Sequence, residues 1–349
     1  MMKKIFFVAM AVSLAQMCYS QTDTVKASTL VPNQDAEKMY NQGISDFANR
    51  NYANAITDFT QAITLKPDFE KAYYNRGITK AETKDYKGAM DDYNKSLILN
   101  ENDTNAYFGR AQAKDALGDS TSFNDYSTVI RLNPKNAEAY YFRGELKFQK
   151  GDYKGAISDF SQAIANKPDY AYAYNDRGSA ERQLNDYKAA IADYNKAIIV
   201  NPKMAFSYNN RGSAKRKAGD LNGAIQDYTE AINLKRDYYI AYNNRGSAKF
   251  DKGDYKGAID DFTKALTLNP EYAYAYNNRA AAKYKLKDYK GAVDDCNSAI
   301  QINAKYGYAY LNRGIAKEML RDAAGACQDW STAASLGVVA GKDYSQSCQ

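Results

Sequence analysis

The chain has no histidine among its 349 residues, and so lacks the commonest general base and metal ligand. It also has no glycine-rich phosphate loop, no cluster of metal-ligand spacing and no nucleophile set beside a base, and outside its repeats no segment is large enough for a catalytic domain. An enzyme is not expected, nor any cofactor or metal. Charged side chains recur at a fixed interval instead. Arg76, Arg110, Arg143, Arg177, Arg211, Arg245, Arg279 and Arg313 form one series, and Asp58, Asp92, Asp125, Asp159, Asp193, Asp227, Asp261, Asp295 and Asp329 another. Most of the arginines are followed four residues later by a lysine, such as Lys249 after Arg245. Arg211, Arg245 and Arg279 each follow an aspartate of the preceding unit (Asp193, Asp227, Asp261) by 18 residues, and the first unit has Gln42 in place of arginine. Pairing between neighbouring units, Arg245 with Asp227, is therefore expected. Such an ion ladder would fix register rather than catalyse, because an unpaired buried charge costs several kcal/mol.

Amides recur with the same period. Asn41, Asn75, Asn210, Asn244, Asn278 and Asn312 form one row, and Asn175, Asn209, Asn243 and Asn277 a second row one place earlier, with Ser179, Ser213 and Ser247 one helical turn on and Tyr172, Phe206, Tyr274 and Tyr308 one turn back. Asparagine inside a helix costs roughly 0.5 kcal/mol relative to alanine, so paired asparagines copied four times require a reason. Binding of peptide backbone is one. Duplication of a neutral pair is the alternative.

The elements that position these groups follow from a 34-residue period. Gly43, Gly77, Gly144, Gly178, Gly212, Gly246 and Gly314 share one column with Ala111 and Ala280. A second column holds Ala55, Ala89, Ala156, Ala190, Ala224, Ala258, Ala292 and Ala326, and a third Phe59, Tyr93, Tyr126, Phe160, Tyr194, Tyr228, Phe262, Cys296 and Trp330. Small and apolar residues recur every three to four positions in two blocks per unit, which reads as two short helices. Glycines such as Gly151, Gly219 and Gly253 end the first helix in the left-handed conformation, and the next residue, from Asn51 and Asp85 through Asp119 to Asp322, caps the second. Pro67, Pro134, Pro168, Pro202 and Pro270 stop the second helix. Nine units result: 36–69, 70–103, 104–136, 137–170, 171–204, 205–238, 239–272, 273–306 and 307–340. The third lacks one residue and carries Ser120-Thr121-Ser122 at the expected start of its second helix, which predicts a local irregularity.

These residues resemble the tetratricopeptide repeat, in its pattern of small, small, aromatic, small and proline, from Ala36 to Ala340. The resemblance implies an all-α fold, a right-handed superhelical solenoid of nine tetratricopeptide helical hairpins with a short C-terminal cap over 341–349. It also implies that first helices line a concave groove and that the partners are other proteins or peptides. The first asparagine row is similar to the ladder in the superhelix of O-linked N-acetylglucosamine transferase, which implies that amides grip an extended peptide. The groove would then comprise Asn175, Asn209, Asn210, Asn243, Asn244, Asn277, Asn278, Asn312, Ser213 and Ser247. Asn243, Asn244 and their copies replace the lysine and arginine of the family's chaperone-tail clamp, which disfavours that partner. Alanine at Asn210, Asn244, Asn278 and Asn312 together is expected to leave the fold intact.

At the N-terminus, Lys3 and Lys4 precede an apolar run from Ile5 to Leu14 and small residues before Gln21, which reads as a secretory signal over 1–20. The run is too short to span a bilayer. A periplasmic or secreted protein is expected, with lipid attachment at Cys18, giving an outer-membrane lipoprotein, as the alternative. Loss of Lys3 and Lys4 lowers the formal charge from +6 to +4, dispersed among alternating signs, so nucleic acid is not an expected partner. Residues 21–35 read as a disordered lead-in. Cys296 stands in the aromatic column as a buried thiol, whereas a turn near Gly337 would return Cys348 to Cys327, and an oxidising compartment favours their disulfide. Three roles fit this sequence: an exported adaptor gripping extended segments, a structural spacer in an envelope assembly, and a non-catalytic subunit of an enzyme.

Overall fold

The computed structural model describes residues 31–346 together with Cys348. The signal segment, Cys18 and most of the expected lead-in lie outside these residues. The described residues form nineteen α-helices and no strand. By contact the chain divides after Lys167 into two units.

The first unit contains four hairpins: α1 (Val31–Ala48) with α2 (Tyr52–Leu65), α3 (Glu70–Glu82) with α4 (Tyr86–Leu99), α5 (Thr104–Leu117) with α6 (Ser122–Leu132), and α7 (Ala137–Gln149) with α8 (Tyr153–Asn166). The second contains five: α9 (Ala171–Gln183) with α10 (Tyr187–Val200), α11 (Ala205–Lys217) with α12 (Leu221–Leu234), α13 (Tyr239–Asp251) with α14 (Tyr255–Leu268), α15 (Ala273–Lys285) with α16 (Tyr289–Ile302), and α17 (Gly307–Met319) with α18 (Ala323–Ser335). A last helix, α19 (Val339–Gln346), packs on α18. In each unit the second helix of one hairpin packs on the first helix of the next.

Helix α1 begins at Val31, so residues 31–35, expected in the lead-in, are helical. Pro32 falls in the first turn, where no amide hydrogen is required. Helix α19 likewise starts at Val339, inside the segment assigned to the ninth repeat. Gly341 lets it cross α18 closely, since a Cβ there would lie 2.8 Å from the Ala334 nitrogen, and the Tyr344 ring stacks on Trp330 at 4.9 Å between centroids. This return brings the Cys348 sulfur against that of Cys327, with Cα atoms 5.8 Å apart, a separation suited to a disulfide.

The hairpin turns follow the expected chemistry with two exceptions. Gly151, Gly219 and Gly253 have φ of 79°, 89° and 87°, and the following aspartates, such as Asp152, Asp220 and Asp254, accept the amide hydrogens of Gly155, Gly223 and Gly257. Asn51, however, donates its amide to Asp46 instead of capping α2. Asp119 accepts from the Thr121 amide, and α6 starts three residues after it, where the second helices of other repeats start one residue after their capping position. That short helix brings Phe142 onto Tyr126, stacked at 5.7 Å, and onto Phe108 edge-on at 5.8 Å.

Within a hairpin the helices approach at the glycine column. A Cβ at Gly246 would lie 2.8 Å from a ring carbon of Phe262 and 3.1 Å from the Ala258 carbonyl oxygen, and the other glycines of the column meet the aromatic residue of their own hairpin in the same way. Repeat eight has Ala280, but opposite it stands Cys296, which is smaller than a ring and fully buried. Burial pushes the Cys296 thiol up to about 12, in keeping with its place in the core.

Gly246→Ala gains about 1 kcal/mol of helix propensity but puts a Cβ 2.8 Å from the buried Phe262 ring, an overpacking that costs about 1–3 kcal/mol. It should lower the melting temperature. Gly257→Ala should hold it, because Ala189 fills that position in repeat five and is capped by Asp186. Thermal denaturation of the two variants compares them directly.

Candidate binding surface

The ion ladder pairs within hairpins, contrary to expectation. Arg245 Nε and Nη2 hold the two carboxylate oxygens of Asp261, 2.9 and 2.7 Å away, and Lys249 Nζ lies 2.8 Å from Asp261 Oδ2. Arg211 pairs with Asp227, and Arg279 with Asp295, in the same forked geometry. Asp193 takes Arg177. The spacing of 18 residues back and 16 forward is nearly symmetrical, and the turn decides between them by folding the second helix onto the first. The neighbouring repeat is reached by the third nitrogen: Arg245 Nη1 donates to Thr229 Oγ1 at 3.1 Å, and Arg211 Nη1 to Asn195 Oδ1 at 2.6 Å. An arginine thus bridges two repeats, with Asp261 only 4% exposed beneath it. In repeat one Gln42 turns to Asp46, and Asp58, without arginine or lysine, is raised from the usual carboxylate range chiefly by burial and then by Asp46.

The asparagines do not form an open groove. Asn175, Asn209, Asn243 and Asn277 are buried, at 2–7% exposure. Their Oδ1 atoms accept hydrogens from the first-row asparagines of the next repeat: Asn210 to Asn175 at 3.2 Å, Asn244 to Asn209 at 2.9 Å, Asn278 to Asn243 at 3.0 Å and Asn312 to Asn277 at 2.8 Å. Earlier in the chain Asn75 donates to Tyr40 Oη at 2.9 Å in the same relation. Ser213 is also engaged, donating to the Asn209 carbonyl and accepting from Tyr228 Oη. Ser247 is nearly buried, in the repeat where Phe262 has no hydroxyl to offer. The amides join repeat to repeat, and the helix-propensity cost identified from sequence is offset there. Asn41 remains exposed.

The open part of the first-helix face lies one turn back. In the second unit Tyr274 and Tyr308 are 55% and 58% exposed. Tyr239, Tyr272, Tyr274, Tyr306 and Tyr308 make a continuous run of ring contacts, with successive centroids 5.0, 5.7, 5.0 and 6.5 Å apart. Tyr172 stacks on Phe206 at 5.9 Å at the start of the same unit. The half-buried Tyr272 hydroxyl is pushed up to about 12, mainly by burial. Of these rings the sequence singles out Tyr172, Phe206, Tyr274 and Tyr308, beside the asparagines, but not Tyr239, Tyr272 and Tyr306, which link them into a run.

Repeat five departs from its neighbours. Glu181 stands where the others carry the lysine that joins the arginine on the aspartate, and its carboxyl is raised to about 7 by burial first and then by Asp193, against Arg177. One of its oxygens is shut from solvent without a hydrogen-bond partner.

Antiparallel helical hairpins that repeat every 34 residues define a helical repeat protein. Comparison with known proteins specifies the family: the tetratricopeptide repeat profile matches residues 239–272, 40–107, 124–171 and 146–205, and a related repeat profile matches 212–252. The chain belongs to the tetratricopeptide repeat family. No curated protein sequence matches it. Among solved structures it is similar to a tetratricopeptide repeat protein from Parabacteroides merdae (20% identity, 71% of this chain and 99% of that one, TM-score 0.53). It is also similar to the C-terminal part of a repeat protein from Cytophaga hutchinsonii (19%, 68% and 98%, 0.57), and to a chain of the Cut9-Hcn1 hetero-tetramer (14%, 97% and 82%, 0.58). These likenesses concern the fold.

Two outcomes follow. Replacing Asn210, Asn244, Asn278 and Asn312 with alanine should lower stability instead of sparing it, because the buried oxygens of Asn209, Asn243 and Asn277 lose these donors, at about 1–3 kcal/mol each, while that of Asn175 keeps Ser207; urea denaturation measures this. For Glu181, the folded-state value lies above the unfolded value of about 4.3, so the folded protein holds the extra proton. Its penalty is absent below the unfolded value and complete above the folded one, and stability falls as pH rises from about 4.3 to 7. Glu181→Lys should remove that fall and raise the melting temperature at pH 8, read from a pH series of thermal melts.

Proposed function

We propose that the protein is an exported scaffold that binds other proteins through the first-helix face of its second unit. The observation that carries this reading is the aromatic row ending in Tyr274 and Tyr308. Large rings held in a fixed series by their neighbours, yet half open to solvent, lose little freedom on binding and bury much apolar surface. The asparagine rows behind them set the spacing of this face. An extended segment lying along the row would meet one ring cluster per repeat. Export is supported by the signal-like first twenty residues and by the Cys327–Cys348 pairing, which a reducing compartment would not maintain.

Tyr274→Ala with Tyr308→Ala should leave the melting temperature within a few degrees of the parent, because neither ring is part of the core. Partners captured by the parent from envelope extract should bind the variant at least tenfold more weakly, as measured by calorimetry. Unchanged affinity would refute use of this face, and a mature chain not starting at Gln21 would refute the export signal as read.

A further inference from the structure

The helix that covers α18 is unlike the first helices it follows. In α13, α15 and α17 two alanines seven residues apart pack on the second helix before them: Ala241 with Ala231 and Ala248 with Ala224, Ala275 with Ala265 and Ala282 with Ala258, Ala309 with Ala299 and Ala316 with Ala292. In α19, Gly341 takes the first of these places, where a Cβ would lie 2.9 Å from that of Ala333. Cys348, seven residues on, takes the second and is bonded to Cys327, the neighbour of Ala326. Helix α19 thus fills the place of a further first helix, but it is poorly equipped to hold it. It has eight residues against thirteen in α13, α15 and α17, and it contains neither the arginine nor the asparagine that ties those helices to the repeat before. So short a helix needs tertiary support to persist. Besides the disulfide, Gly341, Ala340 and the Tyr344 ring on Trp330 supply it. The face beneath also keeps a place for what α19 lacks. Arg245, Arg279 and Arg313 each send Nη1 to a polar side chain of the preceding second helix, at Thr229, Thr263 and Asn297. Ser331 continues that series at the same interval, and it is exposed.

We propose that the Cys327–Cys348 bond is a redox latch on α19, and that opening it frees the α18 face to dock the arginine-bearing first helix of a tetratricopeptide hairpin in another protein. This surface is separate from the aromatic row and does not depend on it. Cys348 is exposed and Cys327 half-buried, so a thiolate of a dithiol reductant attacks the Cys348 sulfur and Cys327 departs as a thiolate that takes up a proton. The reductant's second thiol then closes its own disulfide and releases Cys348 as a thiol. Two electrons and two protons have passed to the protein. A second copy of the chain does not fit the uncovered face. Its first helix carries Lys38, Gln42 and Ser45, all exposed, where α13 has Ala241, Arg245 and Ala248, which makes that end of the array a polar terminus unsuited to stacking.

The test uses the full chain with Trp330, its single tryptophan, as reporter. Reduction with dithiothreitol should raise acrylamide quenching of Trp330 at least twofold and speed hydrogen exchange in α19 at least tenfold, and Cys348→Ser should show both without reductant. Unchanged quenching and exchange in the reduced parent overturn the latch. Docking is read by light scattering on a full-chain variant, Lys38→Ala with Gln42→Arg and Ser45→Ala, which gives the molecule a matching first helix; Asp58 already stands where Asp261 meets Arg245. The variant should be monomeric when oxidised and associate end to end when reduced, and adding Ser331→Ala should weaken that association at least threefold. The parent should stay monomeric in both states. A reduced variant that stays monomeric while Trp330 is uncovered overturns the docking surface, as does association that ignores reduction. Association of the reduced parent overturns the choice of partner, since the face then belongs to a second copy.

Discussion

A carboxylate that must be buried to let two helices meet governs this structure. Asp261 and its copies sit beneath the hairpin at 2–6% exposure in repeats two to nine, where an isolated charge is prohibitive and a paired one is tolerated only with near-complete hydrogen bonding. The arginine supplies two bonds, the lysine four residues later a third contact in seven of those eight repeats, and the Tyr242-type ring beneath Arg245, 5.5 Å away, shields the guanidinium from water. Because the same guanidinium also reaches the preceding repeat, satisfying the aspartate sets both the closure of a hairpin and its register with its neighbour. Repeat five tests the rule from the other side: with Glu181 in the lysine's place, burial drives the new carboxyl toward its neutral form.

The remaining cohesion is divided between steric fit and polar contact. The glycine column admits a ring of the partner helix to a distance that no side chain would allow, and the alanine column, at 0–1% exposure, fills the space above it. Between repeats, amide-to-amide bonds replace part of the apolar contact a repeat array would ordinarily use. Polar seams of this kind are specific in geometry, because an amide must meet an amide, and an offset by one residue leaves donors facing donors.

Much of this was legible in the sequence. Period, hairpin, turn glycine, capping aspartate and the coincidence of small and aromatic columns each rest on local chemistry, and local chemistry is written residue by residue. The partners of Arg245 were not legible, since Asp227 and Asp261 stand at comparable distances along the chain and only the fold of the turn separates them. The asparagines were misread for a related reason. Their repetition showed that they matter, yet a helix has two faces near each position, and a rotation of about one residue separates a groove from a buried seam. Asn51 and Asp119 show the limit of pattern at the turns themselves: the residue type was right for a cap, but Asp46 and Thr121 offered a competing bond.

The bonds between asparagines all run in one sense, from the amide of one repeat to the oxygen of the repeat before it. Each such unit therefore offers an acceptor on one side and a donor on the other, like a coupling with unlike ends. A gene segment encoding one of these repeats can be duplicated or deleted, and the joints on either side still match. The array can change length by whole units without any new contact having to be invented, which makes its reach along a partner a quantity that selection can adjust in single steps.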